Sequence, residues 1–177
     1  MPSLLRSVSL SSSLLLLASA CVIEEHDEEG EDGPLVAEVS SEQCNAGLRW
    51  VGGDEESTRM HPGGDCIGCH ASRGEGPRYL VAGTVFEMLD EPDDCFGLEG
   101  VTVEITDAEG RTWSLPTNDA GNFFLAAQDG PVAMPYRAAL VAEGVRAEMA
   151  TPQSTGSCAT CHTATGAQGA PGRIIAP

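Results

Sequence analysis

The sequence contains no lysine, and its nine arginines face 27 aspartates and glutamates, a formal charge of −18 over 177 residues. Binding to nucleic acid needs a positive field, so this balance argues against it. Histidine is scarce as well, with four in the chain, and the well-placed ones are claimed by the motifs below, so no Ser/His/Asp set is credible. The apolar run over residues 8–20 is too short, and too soon followed by acids, to span a bilayer as a helix. No Gly-rich loop follows a strand and opens a helix, as a phosphate cradle would require. Asp90, Asp93, Asp94 and the pair Asn118-Asp119 do not have the spacing of an EF-hand and read as turn and loop residues. The length suits one medium domain or two small ones.

What is present begins with a processing signal. Arg6 forms a short positive region, Leu14–Leu17 end an apolar stretch, and Ala18-Ser19-Ala20 form a small-residue cleavage site, so residues 1–20 read as a secretory signal peptide. Cys21 follows at once. Small residues before a Cys resemble the lipobox of bacterial lipoproteins, with Ala18 where Leu is commonest in that family. The resemblance implies acylation of Cys21 and a membrane anchor on the periplasmic or cell-surface side. Val22, in place of the Asp of the family's inner-membrane retention signal, points to the outer membrane. An ordinary signal peptidase would also accept the site, leaving a plain soluble export and a spare Cys21. Residues 21–40 carry Glu24, Glu25, Asp27, Glu28, Glu29, Glu31 and Asp32 before Gly33-Pro34. Such a stretch cannot bury a core and reads as a disordered acidic tether. Loss of Arg6 with the leader leaves a mature charge of −19. That field could steer a basic redox partner, or simply keep a surface protein in solution.

Seven cysteines occur, at 21, 44, 66, 69, 95, 158 and 161. Four fall in Cys66-Ile67-Gly68-Cys69-His70 and Cys158-Ala159-Thr160-Cys161-His162, two complete haem-attachment strings. Two thiols three positions apart on one helical turn can each add across a porphyrin vinyl group, and the following His can bind the iron. From this composition roughly 0.006 such strings are expected by chance, so two are not a coincidence. The expected cofactor is therefore covalent haem c, two per chain, with His70 and His162 as proximal ligands. The competing readings are a four-Cys zinc site and redox or structural disulfides. Zinc does not require a His after each pair, and no βαβ setting surrounds either one. With Cys21 at the processing site, Cys44 and Cys95 remain, and in an oxidising compartment they are expected to pair as a disulfide.

The two strings, with the export signal and little regular structure around the first, resemble the multihaem c-type cytochromes of bacterial electron-transfer chains. The resemblance covers roughly residues 60–78 and 149–177. It implies electron relay through haems that are mostly six-coordinate. Besides the motif histidines only His26, in the tether, and His61 exist. His61 is a candidate distal ligand, with a surface His as the alternative. Met is the other common axial ligand. Met60 precedes Cys66 by six residues and Met149 precedes Cys158 by nine, and each is soon followed by Pro, so both are candidates too. Met88 and Met134 are expected to fill gaps in the core.

Residues 79–149 read as β. Tyr79–Phe86 is strand-like. Val101, Val103 and Ile105 alternate with Thr102, Glu104 and Thr106, the pattern of a half-buried strand. Asp107–Gly110 makes a turn from which Arg111–Leu115 returns as a hairpin. Asn118–Gly121 is the next turn, before Asn122–Ala126. Tyr136–Ala142 and Val145–Met149 complete the run, broken at Glu143-Gly144. The fold class is mainly β: a small antiparallel sandwich flanked by two irregular or short-helical haem-binding segments. Gly100-Val101-Thr102-Val103, then Asp107–Gly110, then Thr117–Phe123 resemble the carboxypeptidase-regulatory or transthyretin-like sandwich. That resemblance implies a non-catalytic scaffold.

The organisation expected is thus signal peptide 1–20, tether 21–40, first haem-binding segment 41–78, sandwich 79–149 and second haem-binding segment 150–177. The leading function is electron transfer by an exported lipoprotein, with no catalytic residues. A haem peroxidase would need one open iron site. The alternative is a non-redox surface lipoprotein whose sandwich binds a partner or glycan and whose Cys pairs hold zinc.

Overall fold

A computed structural model describes residues 36–37, 50–51, 57–74, 76–91 and 97–177. The leader, Cys21, His26, the acidic run 24–32, Cys44, Asp93, Asp94 and Cys95 lie outside the described residues, and with them the expected lipidation and disulfide. Asp32–Pro177 forms one compact unit. Two short strands, β1 (Val36–Ala37) and β2 (Trp50–Val51), pair antiparallel near its start. The expected tether over 21–40 therefore contains a strand at 36–37.

The protein is mainly β, with one short α-helix among the described residues, α1 (Cys66–Arg73). Two sheets carry the fold. In one, β3 (Tyr79–Phe86) lies between β6 (Asn122–Ala126) and β9 (Ile174–Ile175). In the other the order is β5 (Thr112–Pro116), β4 (Thr102–Thr106), β7 (Arg137–Ala142), β8 (Val145–Glu148). All pairings are antiparallel except β3 with β9, which is parallel. The parallel pair is an addition to the expected sandwich: residues after the second string return along β3.

The alternation in β4 works as its sequence implies. Val103 and Ile105 are buried while Thr102, Glu104 and Thr106 are half exposed. With Val81, Val85, Val101, Leu115, Phe123, Leu125 and Tyr136 they form a single core. The turn after β4 is built on Asp107, whose Oδ1 accepts from the backbone N–H of Glu109 (3.0 Å) and Arg111 (2.9 Å). Its Oδ2 accepts from Arg111 Nε (2.9 Å) and Ala133 N–H (3.1 Å). Burial pushes the Asp107 carboxyl up, but these bonds outweigh it and hold the pKa below the ordinary value. Glu143 and Gly144 both have positive φ, as a tight β7–β8 turn requires.

Strand β3 is buried over its last six residues, which a one-sided sheet strand would not be. Val81 and Val85 belong to the sandwich core. Thr84 Oγ1 accepts from Gly63 N–H (2.7 Å) and donates to Asn122 Oδ1 (2.7 Å). Gly83 is approached by Cys158 and Phe123. Both cysteine strings thus lean on this strand, and the sandwich is their common support. Met88 and Met134, expected to fill the core, are instead 51% and 40% exposed, because each stands in a turn beyond the end of a strand.

Candidate cofactor attachment sites

The first string occupies α1. Asp65 is its N-cap: its Oδ1 accepts from Gly68 N–H (2.9 Å), and its carbonyl accepts from Cys69 N–H (2.9 Å). Gly74, in the left-handed conformation at φ 67°, ends the helix and donates to the His70 carbonyl. Cys66, Cys69 and His70 are therefore presented from consecutive turns of one short helix. The second string makes a single 3₁₀ turn over Cys158–Thr160. There Cys161 and His162 N–H both donate to the Cys158 carbonyl, at 3.1 and 2.9 Å. The expected one-turn separation of the two thiols holds in both strings.

Both motif histidines are oriented in the same way. His70 Nδ1 is 2.8 Å from the Pro77 carbonyl, and His162 Nδ1 is 2.9 Å from the Gly172 carbonyl. A carbonyl only accepts, so Nδ1 is the donor in each bond, and Nε2 is the ring nitrogen left for another partner. An Nδ1–H bond to a backbone carbonyl is how ligating histidines are fixed in tautomer and ring orientation.

The four thiols are unbridged. Burial pushes Cys66 up to about 11 and Cys158 up to about 12, so both are neutral thiols near pH 7. Reactive redox cysteines show the opposite, a depressed pKa in an electropositive, accessible setting. Tyr136, which sequence reasoning placed only as the start of a strand, adjoins Cys158. Its hydroxyl donates to the Thr155 carbonyl (3.0 Å), and burial raises its own pKa.

Each string borders its own open cleft. The first is lined by Cys66, Cys69 and His70, and also by Met60, His61 and Arg73. The second is lined by Cys158, Cys161 and His162 with Tyr136 and Met149. The three candidate distal residues therefore share a cleft with a string: Met60 and His61 with the first, Met149 with the second. The loop carrying Met60 and His61 is held to the sandwich. Asn122 Nδ2 donates to the Met60 carbonyl (3.0 Å), and Asn118 Nδ2 donates to the Thr58 carbonyl (2.7 Å). His61 itself has φ 44°, an uncommon conformation for a non-glycine residue. Asn118 also makes the expected turn, its Oδ1 accepting from Ala120 and Asn122 N–H.

The two strings meet. Ser157 Oγ, just before Cys158, donates to Asp65 Oδ1, just before Cys66, at 2.6 Å. Ala82 of β3 donates to the Gly156 carbonyl (3.0 Å), and Tyr136 exchanges both backbone bonds with Gln153. The second segment is thus knitted into the sandwich rather than appended to it. Asp65 was within reach of sequence reasoning, as an Asp before a helical turn; Ser157 and Tyr136 carried no local signal.

Among the described residues, no group of three or more His, Cys, Asp or Glu side chains gathers as a metal-ligand set, and no helix is long and apolar enough to cross a membrane. The donor set fits haem: in each string two unbridged thiols one turn apart, an imidazole whose Nδ1 is held by a backbone carbonyl, and an adjoining open cleft. Searches of protein-family models, characterised proteins and solved structures found no match to this chain.

Proposed function

We propose that this chain is an exported electron-transfer protein carrying two covalent haems, one on Cys66, Cys69 and His70 and one on Cys158, Cys161 and His162. The observation that carries the reading is the duplicated histidine geometry. In two segments with no shared fold, helix in one and 3₁₀ turn in the other, the imidazole after the Cys pair donates from Nδ1 to a backbone carbonyl. Haem bound there supplies a one-electron iron couple.

The chain's own residues then have defined tasks. Cys66, Cys69, Cys158 and Cys161 would hold the porphyrins through thioether links to their vinyl groups, a thiol addition that needs no oxidant. His70 and His162 offer Nε2 to iron, and the Pro77 and Gly172 carbonyls fix their rings. Met60 or His61 is the distal candidate in the first cleft and Met149 in the second; His61 on one iron, with a Met or an open site on the other, would make an unequal pair. Met ligation raises a haem potential relative to His. The separate clefts favour this reading over one shared zinc site. Export by the 1–20 leader, anchoring through Cys21 and exchange with a basic redox partner complete the proposal.

The test is the purified full-length protein, produced with a cytochrome c maturation system. Red protein whose haem spectrum survives denaturation, with two haem additions in the intact mass, is the expected result. Colourless protein containing zinc overturns the proposal in favour of the surface-lipoprotein alternative.

A further inference from the structure

The contact between the two strings is built from residues that neither string needs for holding a cofactor. Asp65 Oδ1 accepts two bonds at once, from Gly68 N–H inside the first string (2.9 Å) and from Ser157 Oγ at the head of the second (2.6 Å). The second distance is in the short range of O–H···O bonds to a carboxylate. One oxygen thus caps the helix presenting Cys66, Cys69 and His70 and also holds the residue preceding Cys158. A separate contact reinforces it. A Cβ added to Gly156 would collide with the Leu80 carbonyl and stand 3.1 Å from Ile67 Cδ1, and Ile67 lies within the first string. The backbone of Gly156 and Ser157 is fixed in turn by Ala82 of β3, through one hydrogen bond and a parallel bridge. The strings are locked to each other and to the same strand.

We infer that the Ser157–Asp65 hydrogen bond is a positioning device that fixes the two attachment strings relative to each other, so that their two redox groups act as one coupled pair rather than as two independent carriers. The inference rests on the proposed function and extends it. Separate carriers would require only a shared scaffold, and β3 alone supplies that. A direct bond between the residues heading the two strings adds control over mutual orientation, on which the interaction between two chromophores depends. Coupling between two sites is reciprocal, so in such a pair electron occupancy at either group would shift the other's potential. Precise orientation requires that the supporting side chains themselves be held, as Asp65 is by Gly68 N–H and Ser157 by the β3 bridge.

The experiment uses the full-length, haem-loaded protein and circular dichroism in the Soret region, where two oriented haems give a paired positive and negative band. Ser157→Ala removes the hydroxyl and leaves the Asp65 cap on Gly68 in place, so α1 keeps its N-terminus; Ser157→Thr keeps a hydroxyl. The wild type is expected to show the paired band, Ser157→Ala to lose most of its amplitude while retaining both haems, and Ser157→Thr to restore it. A two-haem wild type without the paired band overturns the inference and leaves the proposed function standing, as does a Ser157→Ala band equal to that of the wild type. Fewer than two covalent haems overturns both.

Discussion

Gly83 lies at the point where the second string is pressed against the sandwich, so replacing it by Ala tests that packing directly. A Cβ at this position would stand 2.8 Å from Cys158 Cβ and 2.9 Å from Phe123 Cζ. Carbon atoms in contact prefer about 3.5–4.0 Å, so each neighbour would have to retreat by roughly 0.6 Å or more. Neither retreats easily. Phe123 is in the core and opposite Gly83 in the β3–β6 register, and Cys158 follows Ser157, which is held by Asp65 and by the Ala82 bridge. Overpacking of this kind costs about 1–3 kcal/mol. The φ of Gly83 is not in the left-handed region, so Ala also recovers about 0.4–1 kcal/mol by restricting the unfolded chain. The net loss expected is centred on about 1.3 kcal/mol, within a range of about 0–2.6 kcal/mol, or a fall in Tm of about 4–6 °C at the centre for a domain of this size. Thermal denaturation followed by circular dichroism measures it, and intact mass gives haem occupancy. Occupancy of the second string should fall and that of the first should not. A variant that melts within about 1 °C of the wild type with both haems in place would show that Cys158 is not packed on Gly83, and the shared-strand account of the two strings would fail.

Four further outcomes are expected. Replacing Cys158 and Cys161 together by Ser should remove one haem from the intact mass and leave the other; loss of both, or of neither, contradicts independent covalent attachment. His61→Ala should change the absorption spectrum of one haem and spare the other, whereas two unchanged spectra would remove His61 from the ligand set and leave Met60, Met149 or open iron. Thiol labelling of denatured, unreduced protein should find neither Cys44 nor Cys95 free, the bond between them being worth about 2–5 kcal/mol in an exported domain; two labelled thiols refute the pairing. The folded-state pKa of Asp107 is depressed, so its stabilisation is present above the ordinary Asp value, about 3.9, and is lost as pH falls through the folded value. The stability gap between wild type and Asp107→Asn should thus be widest near neutrality and close below about pH 4; a gap independent of pH contradicts the charge-dependent part of that bonding.

Much of the sandwich was legible because its strands obey period-two patterning between strong turn residues. Tyr79–Phe86 and Asn122–Ala126 were read with the bounds that β3 and β6 have, and the Asp107 hairpin and the Glu143-Gly144 break stand where the sequence puts them. Strand β9 was missed: two residues in a stretch rich in Gly and Pro show no periodicity, and their order comes from pairing with β3. The strings were legible as chemistry, since spacing alone defines them, and counting back from each Cys pair led to Met60 and Met149, which do line the two clefts. The Pro77 and Gly172 carbonyls were not legible, because a backbone acceptor has no residue-type signature. Nor was the Ser157–Asp65 bond, whose partners are 92 positions apart.

That same span orders events in time. Contacts between residues distant in sequence form late, because a long loop must close before they stabilise anything. In the unfolded chain each string is a short segment, far from the other in sequence, with its thiols open to solvent. Only when the intervening strands have assembled do residues 65 and 157 meet, and at that moment Cys158 becomes pressed against Gly83. The fold therefore sets an order for the proposed attachment: a group joining these cysteines would have its widest access before the sandwich closes.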